Sequence, residues 1–419
     1  MMRPVSILSL CLFPLLVSAQ TLTWEEAVRT AAHHNPALQS AEATYRSAHE
    51  QVLSVMSGYL PQVSSTMSYS KANSGTSSVG NLGVVSSNTN YSLSTLVSQN
   101  IFNGLSDLAK KNQAQASESV AQANLKNIQA QVSYQLKIAF ENLDFAKKAL
   151  ILSRQIIGRR EINLRLVELR FKGGHENKGS VMLYEAYLKD AKYGETQNLN
   201  LVNMSKTQLA QALGLDDAES LDIVGSVPVQ KKVEFADIGA LATHAPPYLQ
   251  ALHQEEVASA GVILARSGFF PTLGVTGSMG RSGEWFPQNE RWTLGVNLTV
   301  PIFNGGRDFH GVRAAQSSHT ASQFTLKNVL YQVRTTIQQN HNAYIESIQK
   351  LEVDQSYLKA AEIRAQIARA NYKNGLVSFQ EWDLAENDLI MRERNLLQSE
   401  QNRVNAEAAY LQVIGERFL

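Results

Sequence analysis

Two kinds of hydrophobic periodicity divide this chain, and each occurs twice. Leu136, Leu143, Leu150, Ile157, Leu164 and Phe171 recur every seven residues, with Ile128, Val132, Ala139 and Ala146 filling steps of three and four. A second stripe runs through Ile337, Tyr344, Leu351, Leu358, Ala365 and Tyr372. Heptads sustained over this length predict long helices packed as coiled coils. None of the ten prolines falls between Pro61 and Pro228 or after Pro301, so both stretches are free to be helical. A helix from about Leu105 to Phe171 would be on the order of 100 Å long at 1.5 Å per residue.

The other pattern has period two. Val63, Met67 and Tyr69 alternate with Ser64, Thr66 and Ser68, and Tyr91, Leu93 and Val97 alternate with Ser92, Ser94 and Ser98. The second occurrence has Leu273, Val275 and Met279, then Trp292, Leu294, Val296, Leu298 and Val300 against Thr293, Gly295, Asn297 and Thr299. These read as four strands of about ten residues, the length of a tilted barrel strand in a membrane. Their polar sides are small, uncharged and hydroxylated, and Tyr69, Tyr91, Phe102, Trp292 and Phe303 stand near strand ends as candidate interfacial aromatics. The segments Lys71 to Asn90 and Gly280 to Glu290 read as outer loops. Alternation also suits a water-soluble sheet, so a coiled-coil stalk or adaptor protein without a channel is the alternative.

Local marks tie the two occurrences into one repeat. Ser57-Gly58-Tyr59-Leu60-Pro61 returns as Ser267-Gly268-Phe269-Phe270-Pro271, and Ile101-Phe102-Asn103-Gly104 as Ile302-Phe303-Asn304-Gly305. Gly104 and Gly305, Gly174 and Gly375, and Gly214 and Gly415 share one spacing of 201 residues (305 − 104, 375 − 174, 415 − 214). Pro61 and Pro271 are 210 apart (271 − 61), so length has changed only in the strand part. One added residue in a packed helix rotates every later side chain by roughly 100°, whereas a loop absorbs it. Gly173-Gly174 and Asn374-Gly375 supply residues that end helices, so each stretch predicts a helical hairpin. Ser378 and Glu381 have capping-box spacing at the start of the last helix. Arg170, Lys172 and Lys373 near helix C-termini complement the helix dipole.

Composition narrows the compartment. Arg3, the apolar run Val5 to Val17 and the small residues Val17-Ser18-Ala19 predict a signal peptide over residues 1–19. Cys11 lies inside it, and the bulky Leu10 before it argues against lipidation. No cysteine remains beyond it, which excludes disulfides and thiolate metal sites. No apolar run reaches the roughly 18 residues of a membrane helix, so a span could only be a closed β-barrel. Four strands cannot close one, because membrane barrels need about eight or more; a homotrimer would supply twelve. The formal net charge of +1 argues against a nucleic-acid partner. His33-His34 cannot share one ion, since adjacent helical residues point about 100° apart. No phosphate loop, His-Glu-x-x-His or nucleophile elbow is present, so the expectation is a non-enzyme with no cofactor and no metal.

With Leu22-Thr23-Trp24-Glu25-Glu26-Ala27, Asn35-Pro36-Ala37-Leu38, both Gly-x-x-Pro marks and the terminal Ile414-Gly415, the chain resembles the TolC family of outer-membrane efflux proteins. The resemblance implies a mostly α protein with a β-barrel part: a trimeric 12-stranded barrel in the outer membrane of a Gram-negative cell, continuous with a periplasmic α-helical barrel. Repeat 1 would cover residues 20–225 and repeat 2 residues 226–419, with 226–240 in an equatorial linker and Asp216 to Gly239 joining the repeats. Such proteins are passive ducts set in outer-membrane lipid and joined by a periplasmic adaptor (membrane fusion) protein to an inner-membrane transporter. The turns Gly173-Gly174-His175 and Asn374-Gly375-Leu376 would form the periplasmic tip that meets the adaptor. Glu381 and Asp383, with Lys178 and Ser180 in the first copy, would be candidates for the aperture.

Overall fold

The structure, a computed structural model, describes residues 20–75, 85–229, 237–285 and 288–418. The signal-peptide expectation for 1–19 lies outside these residues. A short strand β1 (Gln20–Leu22) precedes helices α1 (Trp24–His34) and α2 (Pro36–Met56). Strands β2 (Gln62–Gly75) and β3 (Val85–Asn103) follow, then the long helices α3 (Ser106–Lys172) and α4 (Lys178–Leu213). After β4 (Leu221–Ile223) the order runs again as α5 (Ile238–His244), α6 (Pro246–Arg266), β5 (Thr272–Gly283), β6 (Asn289–Thr299), α7 (Arg307–Lys373) and α8 (Phe379–Ile414). Helices α3 and α7 both have 67 residues, and α4 and α8 both have 36, which is why the glycine marks keep one spacing. Among the described residues no helix is long and apolar enough to cross a membrane.

The chain forms two compact units that divide at Gln39/Ser40, Asn127/Ile128, Ile238/Gly239 and Thr335/Thr336, so each unit draws on both sequence repeats. The helical unit holds α1, α4, α8 and the C-terminal parts of α3 and α7. Its first strand pairs in parallel with β4, Gln20 opposite Leu221 and Leu22 opposite Ile223. Thr23 caps α1 with a full capping box: Glu26 N–H donates to Thr23 Oγ1 at 3.4 Å, and Thr23 N–H donates to Glu26 Oε2 at 2.9 Å. At Ser378 the structure shows one half of the predicted box, Glu381 N–H donating to Ser378 Oγ at 3.2 Å. Leu22, Leu136, Phe140, Leu143, Leu209 and Leu213 share one core, and Trp24 meets Phe140 edge to face at 5.6 Å. Beside it, Lys137 and Glu407 form an ion pair at 3.4 Å with both side chains almost wholly buried. Glu141, one turn beyond Lys137, is pushed up to about 7 by burial and by the neighbouring Asp144.

The heptads on α3 resolve into two seams with different fates. Val132, Ala139, Ala146, Ser153, Arg160 and Val167 are buried throughout. The bulky stripe is buried at Leu136 and Leu143, half-buried at Leu150, Ile157 and Leu164, and exposed at Phe171.

The second unit contains one antiparallel sheet in the order β2-β3-β5-β6, flanked in sequence by α2, α6 and the N-terminal parts of α3 and α7. The register puts Val63 opposite Val97, Met67 opposite Leu93, Tyr69 opposite Tyr91, Val275 opposite Val296 and Met279 opposite Trp292. One face therefore carries the apolar residues, interrupted by Ser65, Thr95, Gln99 and Gly277 and by Lys71, Arg281 and Glu290 toward one end, and the other is mostly Ser, Thr, Asn and Gly. A bulge between Asn100 and Phe102 keeps Phe102 on the apolar face opposite Leu273. The first pair is longer than expected: β2 has 14 residues and β3 has 19. Most of the segment read as the loop Lys71 to Asn90 is thus strand, because Ser and Asn on both edges still pair in register from Lys71 with Thr89 to Gly75 with Val85. Likewise β5 and β6 take up both ends of the segment Gly280 to Glu290.

Candidate functional site

Both long helices end in the same local structure. At the end of α3, Gly174 N–H bonds Phe171 O at 3.0 Å and His175 N–H bonds Arg170 O at 2.9 Å; at the end of α7, Gly375 bonds Tyr372 O at 3.0 Å and Leu376 bonds Asn371 O at 2.9 Å. These paired bonds close a helix around a left-handed residue, and Gly174 and Gly375 have φ of 74° and 75°. The next helices start on side-chain caps, Ser180 N–H donating to Asn177 Oδ1 at 3.0 Å and Glu381 N–H to Ser378 Oγ. Gly173, Gly174, His175, Asn374, Gly375 and Leu376 are all exposed, Leu376 to 71%.

Behind the turns lies a stack of three rings. Tyr184 of α4 stacks on Trp382 of α8 at 5.1 Å, and Trp382 stacks on Tyr372 of α7 at 4.3 Å. All three are fully buried, with Val167, Ala368 and Ala385 around them. Each tyrosine hydroxyl reaches a carboxylate from the other repeat: Tyr184 donates to Asp383 Oδ1 at 2.9 Å, and Tyr372 donates to Glu176 Oε2 at 2.8 Å. Burial, and then the adjacent carboxylates, push both phenols above their ordinary range, so both remain donors. Arg170 is more than a dipole partner, since its Nη1 donates to Tyr372 O at 2.7 Å and its guanidinium lies 4.4 Å from the Tyr372 ring centroid. Deeper in the hairpins, Glu386 is buried and bonded by Arg369 and by Trp382 Nε1, and Arg159 pairs with Glu393.

The four aperture candidates separate. Glu381 and Lys178 are exposed on the first turns of α8 and α4. Asp383 is half-buried and held by Tyr184. Ser180 is buried and donates to Glu176 Oε1 at 3.0 Å, so its hydroxyl is used inside the hairpin end. The partners Tyr184, Trp382 and Glu176 escaped the sequence reading, although Trp382 stands between the two acidic candidates and Tyr372 closes a heptad stripe.

The sheet supplies the other candidate surface. Trp292, Leu294 and Val296 are each more than 70% exposed, as is Phe303 beyond the end of β6; Phe102 and Tyr91 are less so, and Tyr69 packs against Tyr91 at 4.9 Å. The edge strands β2 and β6 each have a neighbour on one side only. The family model described as "Outer membrane efflux protein" matches residues 27–215 and 239–416.

The chain belongs to the outer membrane efflux protein family.

Among relatives of the chain, outer membrane protein OprJ of Pseudomonas aeruginosa is 28% identical over 48% of the chain and 43% of OprJ. The chain thus spans less than half the length of that relative. Outer membrane efflux protein BepC of Brucella suis is 21% identical over 95% of the chain and 86% of BepC. In fold, the crystal structure of the Campylobacter jejuni CmeC outer membrane channel superimposes with a TM-score of 0.82 over 93% of this chain and 85% of CmeC, at 17% identity. The family is one of outer-membrane channel proteins rather than of enzymes.

Proposed function

We propose that three copies of this chain form a passive exit duct through the outer membrane, fed from the periplasm. The carrying observation is the four-stranded sheet, whose apolar face is open and whose two edge strands lack a neighbour on one side. An unpaired edge is not tolerated in lipid, and a large open apolar face is not tolerated in water. Three sheets joined edge to edge close twelve strands, put the apolar face against lipid and turn the hydroxylated face to a lumen. In this reading residues 1–19 are removed on export, and residues 20–225 and 226–419 act as two equivalent halves of each protomer. The exposed turns at Gly174-His175 and Gly375-Leu376 dock a periplasmic adaptor that links the duct to an inner-membrane transporter. Glu381 and Lys178 then line the aperture, and Asp383 acts through its bond to Tyr184.

The test is fractionation followed by electrophysiology. The protein is expected in the outer-membrane fraction as a trimer resolved by cross-linking, and the purified trimer is expected to conduct ions in planar bilayers. A soluble periplasmic monomer overturns the proposal. A Leu376→Cys variant, which places one thiol in the mature chain, is expected to cross-link to the adaptor; labelling that is unchanged by the adaptor would move the docking site elsewhere.

A further inference from the structure

The hydroxylated face of the sheet has an unusual charge pattern. In the described strands its positions are filled by Ser, Thr, Asn, Gln and Gly, with Ala72 and Leu96 as apolar exceptions and Arg291 as the one formally charged side chain. Arg291 is exposed, two residues from the start of β6. Its registered neighbour on β5 is Gly280, and Ser94 lies beyond that on β3, so neither cross-strand neighbour supplies a carboxylate. The apolar face differs. There Lys71 lies opposite Thr89, and Arg281 and Glu290 face each other across β5 and β6 and are bonded as an ion pair, which cancels the charge of those two locally.

We infer that Arg291 is a specificity-determining residue of the duct, biasing passage toward anionic solutes. The inference rests on the duct reading, in which the hydroxylated face lines the lumen. One arginine from each of three protomers then makes a ring of three positive charges at a single level, near the end of the barrel where β5 turns into β6. A wall of hydroxyls and amides offers no fixed negative charge to neutralise it. Rings of like charge set ion preference in pores, and low-dielectric walls focus their field. Arginine keeps its charge at any working pH, so the bias does not titrate away.

Glu381 on the hairpin end has the opposite sign, so the informative quantity is the difference between variants and not the absolute selectivity. Reversal potentials of the purified trimer are to be measured across a KCl gradient for the wild type and for Arg291→Lys, Arg291→Gln and Arg291→Glu. At about 0.1 M salt the Debye length is roughly 10 Å, so the ring is felt across much of the lumen. The lysine variant is expected to match the wild type. The glutamine variant is expected to lower the chloride-to-potassium permeability ratio by about two-fold, and the glutamate variant to lower it further, as expected for a fixed charge lining a narrow pore. These differences should shrink near 1 M salt, where the Debye length falls to about 3 Å. Channels that conduct with the same reversal potential in all four proteins overturn the inference and leave the duct reading intact. Absence of conductance in every protein, wild type included, overturns the duct reading itself. Should the glutamine variant fail to insert, equal potentials for the lysine and glutamate variants overturn the inference, and a lower ratio for glutamate upholds it.

Discussion

On β6, Trp292, Leu294 and Val296 lie open on a face that a single chain leaves uncovered, whereas at the hairpin ends Tyr184, Trp382 and Tyr372 are fully buried by the same chain. Both regions join the two sequence repeats, the sheet by the pairing of β3 with β5 and the hairpin ends by the stack of Trp382 on Tyr184. The hairpin ends satisfy their polar groups internally, each phenol with a carboxylate from the other repeat. The sheet pairs its inner strands on both sides and its edge strands on one side only. Stability of the hairpin ends is thus a property of the protomer. On the proposed duct, stability of the sheet is a property of the assembly and its lipid.

The sharpest break in that comparison is Leu294→Arg. A charge in the lipid-facing midsection of a barrel costs about 2–4 kcal/mol per copy, and the trimer would bear it three times. Loss of the trimer from the outer-membrane fraction is expected, with the helical hairpins still folded by circular dichroism. Trp382→Ala removes the centre of the ring stack and is expected to cost about 3–5 kcal/mol, as for a large buried aromatic. A lowered unfolding midpoint with trimerisation of the sheet retained would show that the two regions are independently stabilised.

Glu141 gives a pH test within the helical unit. Its folded pKa of about 7 lies above its ordinary value of 4.5, so the folded state holds a proton that the unfolded state releases between those values. Stability from this group is full below about pH 4.5 and is lost as pH rises through about 7. Glu141→Gln is expected to flatten that part of the pH profile and to raise the melting temperature relative to wild type most at about pH 8. Tyr184→Phe removes the hydroxyl that holds Asp383 and is expected to cost about 1–2 kcal/mol, with more frequent opening in bilayer recordings if Asp383 is thereby freed. Gly375→Ala forces a Cβ into left-handed backbone and should cost about 1 kcal/mol, read as a small drop in melting temperature with conductance unchanged.

Much of the fold was legible in the residues because periodicity is a local property. The three glycine pairs 201 residues apart anticipated equal helices, and α3 and α7 are indeed the same length. Strand parity anticipated which side chains share a face, and the register of β5 with β6 places Val275 by Val296 and Met279 by Trp292 accordingly. The strand ends were less legible, since Ser- and Asn-rich stretches carry no alternation and β2 with β3 simply continues pairing. At the hairpin ends the turns themselves were readable from Gly174 and Gly375. The role of Asp383 was not, because its partner Tyr184 lies 199 residues away and nothing in the local pattern links them.

Local periodicity set the angular relations: which residues share a helix stripe or a strand face, and how far apart equivalent points of the two halves must be. These follow from 3.6 and 2.0 residues per repeat and need no partner. Tertiary structure decided which stripe stays buried along α3, the Val132 to Val167 seam, while the bulkier stripe is buried at Leu136 and Leu143 and exposed at Phe171. It also decided that Arg170 crosses to the Tyr372 ring and that Arg291 alone charges the hydroxylated face of the described sheet. A periodic pattern sets the direction of a side chain from its own axis, whereas its environment depends on which element comes alongside.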